Sequence, residues 1–231
     1  MSNGDTSVSV GWIDNGNVRG EFTESVSLLT SFEAQRQRLA QVLRIHSGPL
    51  VEEGRNLLVE RFLASESDWL FMVDSDMTFA YDTVQRMLET AEFVHGRIVG
   101  GLAFGANQTI GVFPTIYREV DGMPAAVMDI PDGIVEVEAT GAAFTLTHRS
   151  VFLDHKRDEY HSWFHRRFVP SNGTHPGGWL GEDISWCFWL RQRDEKIYVD
   201  PRIEAGHVKA TNLCRATYKP NAEFWQTDNI T

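Results

Sequence analysis

Five consecutive apolar residues, Trp69 to Val73, run straight into Asp74-Ser75-Asp76. An apolar run of strand length with no alternation suits a central parallel strand covered on both faces. Such a strand needs helices on both sides, and the surrounding chain supplies them. Leu50, Val51, Gly54, Leu57, Leu58, Arg61 and Phe62 fall at helical spacing, which predicts an amphipathic helix over 51–65. Residues 82–95 read as another helix, ending at Gly96, and 97–102 as the next strand. Upstream, SVSVGWI (7–13) alternates polar and apolar residues and reads as a strand, followed by Asn15-Gly16-Asn17 turn chemistry. Residues 24–39 have a patchy helical pattern, and 44–46 read as a short second strand before Gly48-Pro49. This βαβαβ rhythm predicts a mostly parallel sheet with helices on both faces, a three-layer α/β/α sandwich.

The second half changes style. Asp121-Gly122 between extended runs is a hairpin signal. Residues 133–139 and 142–147 read as strands, 148–155 as a helix, and 197–201 as a last strand. Residues 166–178, RRFVPSNGTHPGG, are poor in aliphatic side chains and rich in Gly, Pro, Asn and Ser. They read as a long loop, expected to close over a ligand. Ile184, Cys187, Phe188 and Leu190 give 182–192 a helical apolar pattern.

Three stretches carry chemistry. The first is WLFMVDSDMTF, where Asp74 and Asp76 follow a buried strand. In open α/β sheets, ligands bind outside the carboxyl ends of the strands. Alternation at the strand end points both carboxylates the same way, and two carboxylates so close repel unless a cation neutralises them. Mg²⁺ or Mn²⁺ fits, being hard, oxygen-seeking and a partner for phosphate oxygens. A helix cap or a solvated turn is the plainer reading of the pair. The second stretch is GWLGEDISWCFWLRQ, where Glu182 and Asp183 open a helix. Acids are favoured there by the helix dipole alone. The functional reading makes Asp183 a general base that takes a proton from an acceptor hydroxyl. Trp179, in the Gly-rich approach, could form an apolar platform under a sugar ring. The third stretch is IYVDPRIEAGHVKA, where His207 could complete a metal site with Asp76 if the fold brings them together. Two further residues stand out: Arg55, whose fork suits a phosphate or nucleobase, and Gly141, whose place between two strands suggests close approach of a ligand to the backbone.

Bulk properties narrow the classes. The 231 residues suffice for one domain with a substantial core, and 14 Phe with 7 Trp supply bulky material for it. The net charge of −11 opposes broad binding to a nucleic-acid backbone. It leaves room for a local basic groove, with HKRDEYHSWFHRR (155–167), Lys209, Arg215 and Lys219 as candidates. Cys187 and Cys214 make neither a metal spacing nor a disulfide framework, and read as buried thiols. No apolar run spans a bilayer, and the N-terminus lacks the pattern of a secretory signal. The expectation is a soluble protein of the cytoplasm with no membrane partner.

Together these pieces resemble the GT-A glycosyltransferases, specifically family-2-like members of the kind encoded by bacteriophages. The matching segments come in the family's order: an N-terminal nucleotide-binding strand, GRNLLVERFL, WLFMVDSDMTF, EATGAAFTLTHRSVF, GEDISWCFWLRQRDEKIYVDP and GH. The resemblance implies a GT-A (Rossmann-like) fold with a mixed, mostly parallel sheet. It implies a nucleotide-sugar-binding half over 1–105 and an acceptor-binding, catalytic half over 106–231. Asp76 looks like the main metal ligand, Asp74 its partner reaching the metal or the donor, and His207 the distal ligand. Asp183, with Glu182 beside it, resembles the catalytic acidic pair of inverting members. Arg55 and Asn56 resemble helix residues near the nucleotide, and Gly141 the segment lining the donor sugar. The implied cofactors are Mn²⁺ or Mg²⁺ and a nucleotide-sugar donor, a UDP-sugar by family habit.

Departures from the family matter. No Q-x-x-R-W segment of processive synthases is present. GWLGED also resembles the Trp-Gly-Gly-Glu run of retaining polypeptide N-acetylgalactosaminyltransferases, so inversion rests on Asp183 alone. Two acceptors stay open: a hydroxylated base in phage DNA, suggested by the basic and aromatic run over 155–168, and a virion or host protein or glycan. A nucleotidyltransferase is disfavoured by the lack of an N-terminal Gly-rich phosphate loop. A non-catalytic sugar-nucleotide-binding module remains a third class.

Overall fold

The computed structural model describes residues 6–107, 111–156, 162–173 and 175–209. The first half alternates strand and helix: β1 (Val8–Asp14), α1 (Gly20–Gln35), β2 (Leu39–His46), α2 (Val51–Leu63), β3 (Trp69–Val73), the short β4 (Met77–Thr78), α3 (Thr83–Val94) and β5 (Ile98–Leu102). Strands then dominate: β6 (Phe104–Asn107), β7 (Gly111–Pro114), β8 (Ile116–Val120), β9 (Met123–Ala126), β10 (Val135–Val137), β11 (Ala139–Thr140) and β12 (Phe144–His148). After α4 (Arg149–Asp154) come β13 (Arg167–Val169), β14 (Gly178–Leu180), α5 (Glu182–Arg191), β15 (Ile197–Glu204) and β16 (Gly206–His207).

Seven strands build the central sheet in the order β10-β15-β5-β12-β3-β1-β2. β1 pairs in parallel with β2 and β3, and β5 with β15. β12 runs antiparallel between β3 and β5, and β10 runs antiparallel on β15. Five strands therefore point one way, with β12 and β10 reversed. The fold is a mixed, mostly parallel α/β sandwich, as the apolar Trp69–Val73 run demands.

Alternation along β3 feeds two cores. Leu70 and Met72 join Leu58 and Phe62 of α2, Phe152 of α4 and Phe188 of α5. Phe71 and Val73 join Phe22 and Leu29 of α1 and Met87 of α3 on the other face. Fully buried aromatics such as Phe71, Phe144 and Phe188 each contribute roughly 1.5–3 kcal/mol of burial. Among the described residues, no helix is long and apolar enough to cross a membrane.

Several boundaries differ from the sequence expectation. α1 begins at Gly20 and stops at Gln35, and β2 occupies all of Leu39–His46 rather than 44–46. A buried ion pair ends the helix: Arg38 Nε and Nη2 donate to Glu33 at 2.8 and 3.1 Å, with Glu33 fully buried. Gln37 takes the left-handed conformation at φ 57°, which turns the chain back into β2. No glycine marks the place. The Asp121-Gly122 hairpin is as expected, with φ 53° and 81° closing β8 onto β9. The stretch read as a loop over 166–178 is a loop only in its middle. Its ends pair as β13 and β14, with Phe168 opposite Trp179.

Candidate functional site

β1, β2 and β3 end on one side of the sheet, and the chain leaving each of them borders a cleft of about 740 Å³. Ile13, Asp14 and Asn15 come from the end of β1, Ser47 and Gly48 from the end of β2, and Asp74, Ser75 and Asp76 from the end of β3. Parallel strands that stop together leave such a crevice at their carboxyl ends. Asp14 anchors its wall. Arg44 donates to it at 2.7 and 2.8 Å, Gly16 N–H at 2.8 Å and Trp12 Nε1–H at 3.0 Å. The Arg44 hydrogen bonds hold the Asp14 carboxyl at about 2 against the cost of burial. The sequence reading marked the strand before Asp14 and the Asn-Gly-Asn turn after it, but not Asp14 itself. An Asp that ends a strand and precedes Asn-Gly-Asn was the signal available.

Asp74 and Asp76 part company. Asp74 Oδ1 accepts a hydrogen bond from Arg55 Nη2 at 3.0 Å. Arg55 Nη1 reaches Glu182 Oε1 at 2.5 Å. The guanidinium is almost wholly buried, with 5% of its side chain exposed. Burial works against its charge, but Asp74, Glu182 and Asp183 outweigh that and hold its pKa above the ordinary value. Glu182 shows the converse: burial pushes its carboxyl up while Arg55 pulls it down. One buried cation thus ties the strand-end motif to the acidic pair that opens α5, across 127 residues of sequence.

The two helix residues expected near the nucleotide have partners within the fold. Arg55 meets carboxylates, as a guanidinium inside the fold needs anionic partners. Asn56 does not line the cleft. Its Oδ1 accepts from Trp163 N–H and Phe164 N–H, both at 2.9 Å, and its Nδ2 donates to the Phe164 carbonyl at 2.8 Å. The amide fastens the segment before β13 onto α2.

Asp76 faces the other way. β16 pairs antiparallel with β4, setting His207 opposite Met77 and Gly206 opposite Thr78. A side chain at Gly206 would collide with that of Thr78, so the close approach needs glycine. Val208 N–H donates to the Asp76 carbonyl at 2.8 Å and locks the register. His207 Nδ1 lies 2.7 Å from the Phe104 carbonyl. A carbonyl and a carboxylate both only accept, so Nδ1 donates to Phe104 and Nε2, protonated as well, donates to Asp76 Oδ2, 3.1 Å away. Lys209 Nζ reaches the same oxygen at 2.9 Å. Burial opposes the Asp76 charge, yet hydrogen bonds from His207 and Lys209 hold its carboxyl at about 2. The structure therefore joins Asp76 with His207 but turns Asp74 away to Arg55. No cluster of three or more His, Cys, Asp or Glu side chains suited to a metal exists among the described residues, so the expected triad of Asp74, Asp76 and His207 is not assembled.

Asp183 sits in the first turn of α5, and its Oδ1 accepts from Ile184 N–H at 2.7 Å. Its Oδ2 lies 3.6 Å from where a Cβ on Gly141 would stand, so Gly141 keeps space open beside this carboxylate. Burial, reinforced by the Asp183 charge, pushes the nearby Tyr117 phenol up to about 12. Trp179 is 63% exposed. It packs edge-on against Phe168 with ring centroids 5.4 Å apart, and the Arg166 guanidinium lies 5.6 Å from its ring. Of the sequence-derived basic groove, 157–161, Arg215 and Lys219 lie outside the described residues, as does Cys214. Cys187 is buried.

No protein-family model matches the sequence, and no curated protein sequence matches it. Solved structures do match. A viral protein, A197 from STIV, superimposes with a TM-score of 0.58 at 19% identity, over 89% of this chain and 87% of that one. GalNAc-T7, a glycosyltransferase solved with UDP, GalNAc and Mn²⁺, gives a TM-score of 0.54 at 12% identity. That match covers 88% of this chain and 44% of the other, so the chain spans less than half the length of GalNAc-T7. The fold is GT-A-like and is shared with glycosyltransferases.

Proposed function

We propose that the protein is a glycosyltransferase that uses a divalent cation and a nucleotide-sugar donor. One observation carries the reading. Asp76, which lines the cleft, has its Oδ2 set 3.1 Å from His207 Nε2, 131 residues away in sequence. Two ligands at right angles, each about 2.1 Å from a cation, stand about 3 Å apart. The Phe104 carbonyl on Nδ1 is the outer partner that orients a metal-binding imidazole. The donor set therefore fits Mn²⁺ or Mg²⁺ held by two side chains, and such ions commonly complete their shell with water and substrate phosphates. Bound there, the cation would offset charge on a nucleoside diphosphate leaving group.

The chain's own residues supply the rest. The crevice between the ends of β1, β2 and β3 takes the nucleoside. Asp183, opening a helix beside the small Gly141, accepts the proton of an acceptor hydroxyl, which makes the reaction inverting. Arg55 donates to both Asp74 and Glu182 and holds them in place beside that base. The presence of UDP and Mn²⁺ with GalNAc-T7 supports UDP as the nucleotide and Mn²⁺ as the ion. The exposed Trp179–Phe168 pair supports an acceptor with a ring to stack, either a hydroxylated base in phage DNA or a sugar on a virion glycan or protein.

Transfer of labelled sugar from a panel of UDP-sugars to hydroxymethylated DNA and to virion proteins tests this. Wild type labels one of them. Asp183→Asn loses about 10²–10⁴-fold of the rate with UDP binding unchanged. Transfer that survives Asp183→Asn contradicts the assignment of the base.

A further inference from the structure

The two partners of Asp76 differ in how firmly they are held. His207 is fixed at both ring nitrogens, by the Phe104 carbonyl and by Asp76 itself. Lys209 lies on a long, flexible stem with 56% of its side chain exposed, and reaches Asp76 Oδ2 at 2.9 Å. Its backbone is kept beside the site by the Val208 N–H bond to the Asp76 carbonyl. A divalent cation bound to that oxygen would face a like charge at contact distance, so the ammonium has to leave. The anions nearest to hand would be the phosphates the cation brings, and a lysine ammonium is a flexible point charge well suited to them.

We propose that Lys209 is an exchangeable counter-ion, resting on Asp76 while the cleft is empty and moving to the diphosphate when metal and donor arrive. This rests on Asp76 and His207 being the cation ligands. Each anionic group then keeps a partner throughout: Asp76 trades an ammonium for the metal, and the phosphates gain the ammonium. Lys209 would thus oppose metal binding in the absence of nucleotide and favour nucleotide binding once metal is present. A residue with only a structural role would move both affinities in the same direction or neither.

The test uses the full chain as wild type, Lys209→Gln and Lys209→Arg. Free Mn²⁺ is followed by its paramagnetic resonance signal, first without nucleotide and then with UDP. Lys209→Gln should bind Mn²⁺ alone about two- to five-fold more tightly, the scale of a partly exposed ion pair. At saturating Mn²⁺ it should bind UDP more weakly, while Lys209→Arg stays near wild type in both. Unchanged or weaker Mn²⁺ binding by Lys209→Gln overturns the exchange and leaves the donor-site reading standing. Failure of all three proteins to take up Mn²⁺, even with UDP, overturns that reading and the exchange with it.

Discussion

Asp74 and Asp76 are separated by a single serine, yet they belong to different kinds of ionic site. Asp74 looks inward, to a guanidinium with 5% of its side chain exposed that it shares with Glu182. Asp76 looks outward, to a histidine and to a lysine with 56% of its side chain exposed. The two carboxylates are equally exposed, at 32% and 31%, so the difference lies in the partner: the inner site centres on a buried guanidinium that needs its anions. The outer one pairs Asp76 with a lysine that solvent reaches. An interior ion pair is costly to break because the remaining partner stays desolvated, whereas a rim pair is screened and contributes little to stability. Stability should therefore depend on the inner site and ligand binding on the outer one.

The sharpest way to break that contrast is Arg55→Met. It strands Asp74 and Glu182 near each other without a cation, and should lower stability by about 3–5 kcal/mol. Adding Glu182→Gln should recover part of the loss, since it removes one stranded charge. Chemical denaturation of the single and double variants measures both. A loss below about 1 kcal/mol for Arg55→Met would mean that the inner site is not a unit.

A smaller effect concerns Asp14 at the wall of the cleft. Its folded pKa of about 2 lies below the ordinary 3.8, so the unfolded chain takes up the proton first. Its contribution is fully present above pH 3.8 and is lost as pH falls toward 2. Denaturation midpoints across that window should fall for wild type and fall less steeply for Asp14→Asn. Parallel profiles would remove Asp14 from the set of stabilising charges.

The same contrast explains what could be read in the sequence. The Trp69–Val73 strand, the helix after it and the Asp121-Gly122 hairpin were legible because each is specified by neighbouring residues. The end of α1 was not, because it depends on a buried Glu33–Arg38 pair and a left-handed Gln37 rather than on a glycine or proline. Arg55 was legible as a functional candidate but not its direction, since no local pattern says that a helix arginine meets Glu182 in a later helix. His207 stood out as a residue type. Its approach to Asp76, however, depends on β4 and β16, strands of two residues each, which leave no periodicity to detect. Lys209 was noted only as part of a basic surface, and its contact with Asp76 is set by the same short pairing.

The most direct test of the central claim is calorimetry of UDP binding with and without Mn²⁺, on wild type and on Asp76→Ala, with thermal unfolding of both proteins alongside. The account predicts that wild type binds UDP only with Mn²⁺ and that Asp76→Ala loses this binding. The melting temperature should fall by no more than about 2–4 °C, the shift for 1 kcal/mol in a chain of this size. UDP binding that ignores Mn²⁺, or that persists in Asp76→Ala, would contradict a cation site on Asp76 and His207.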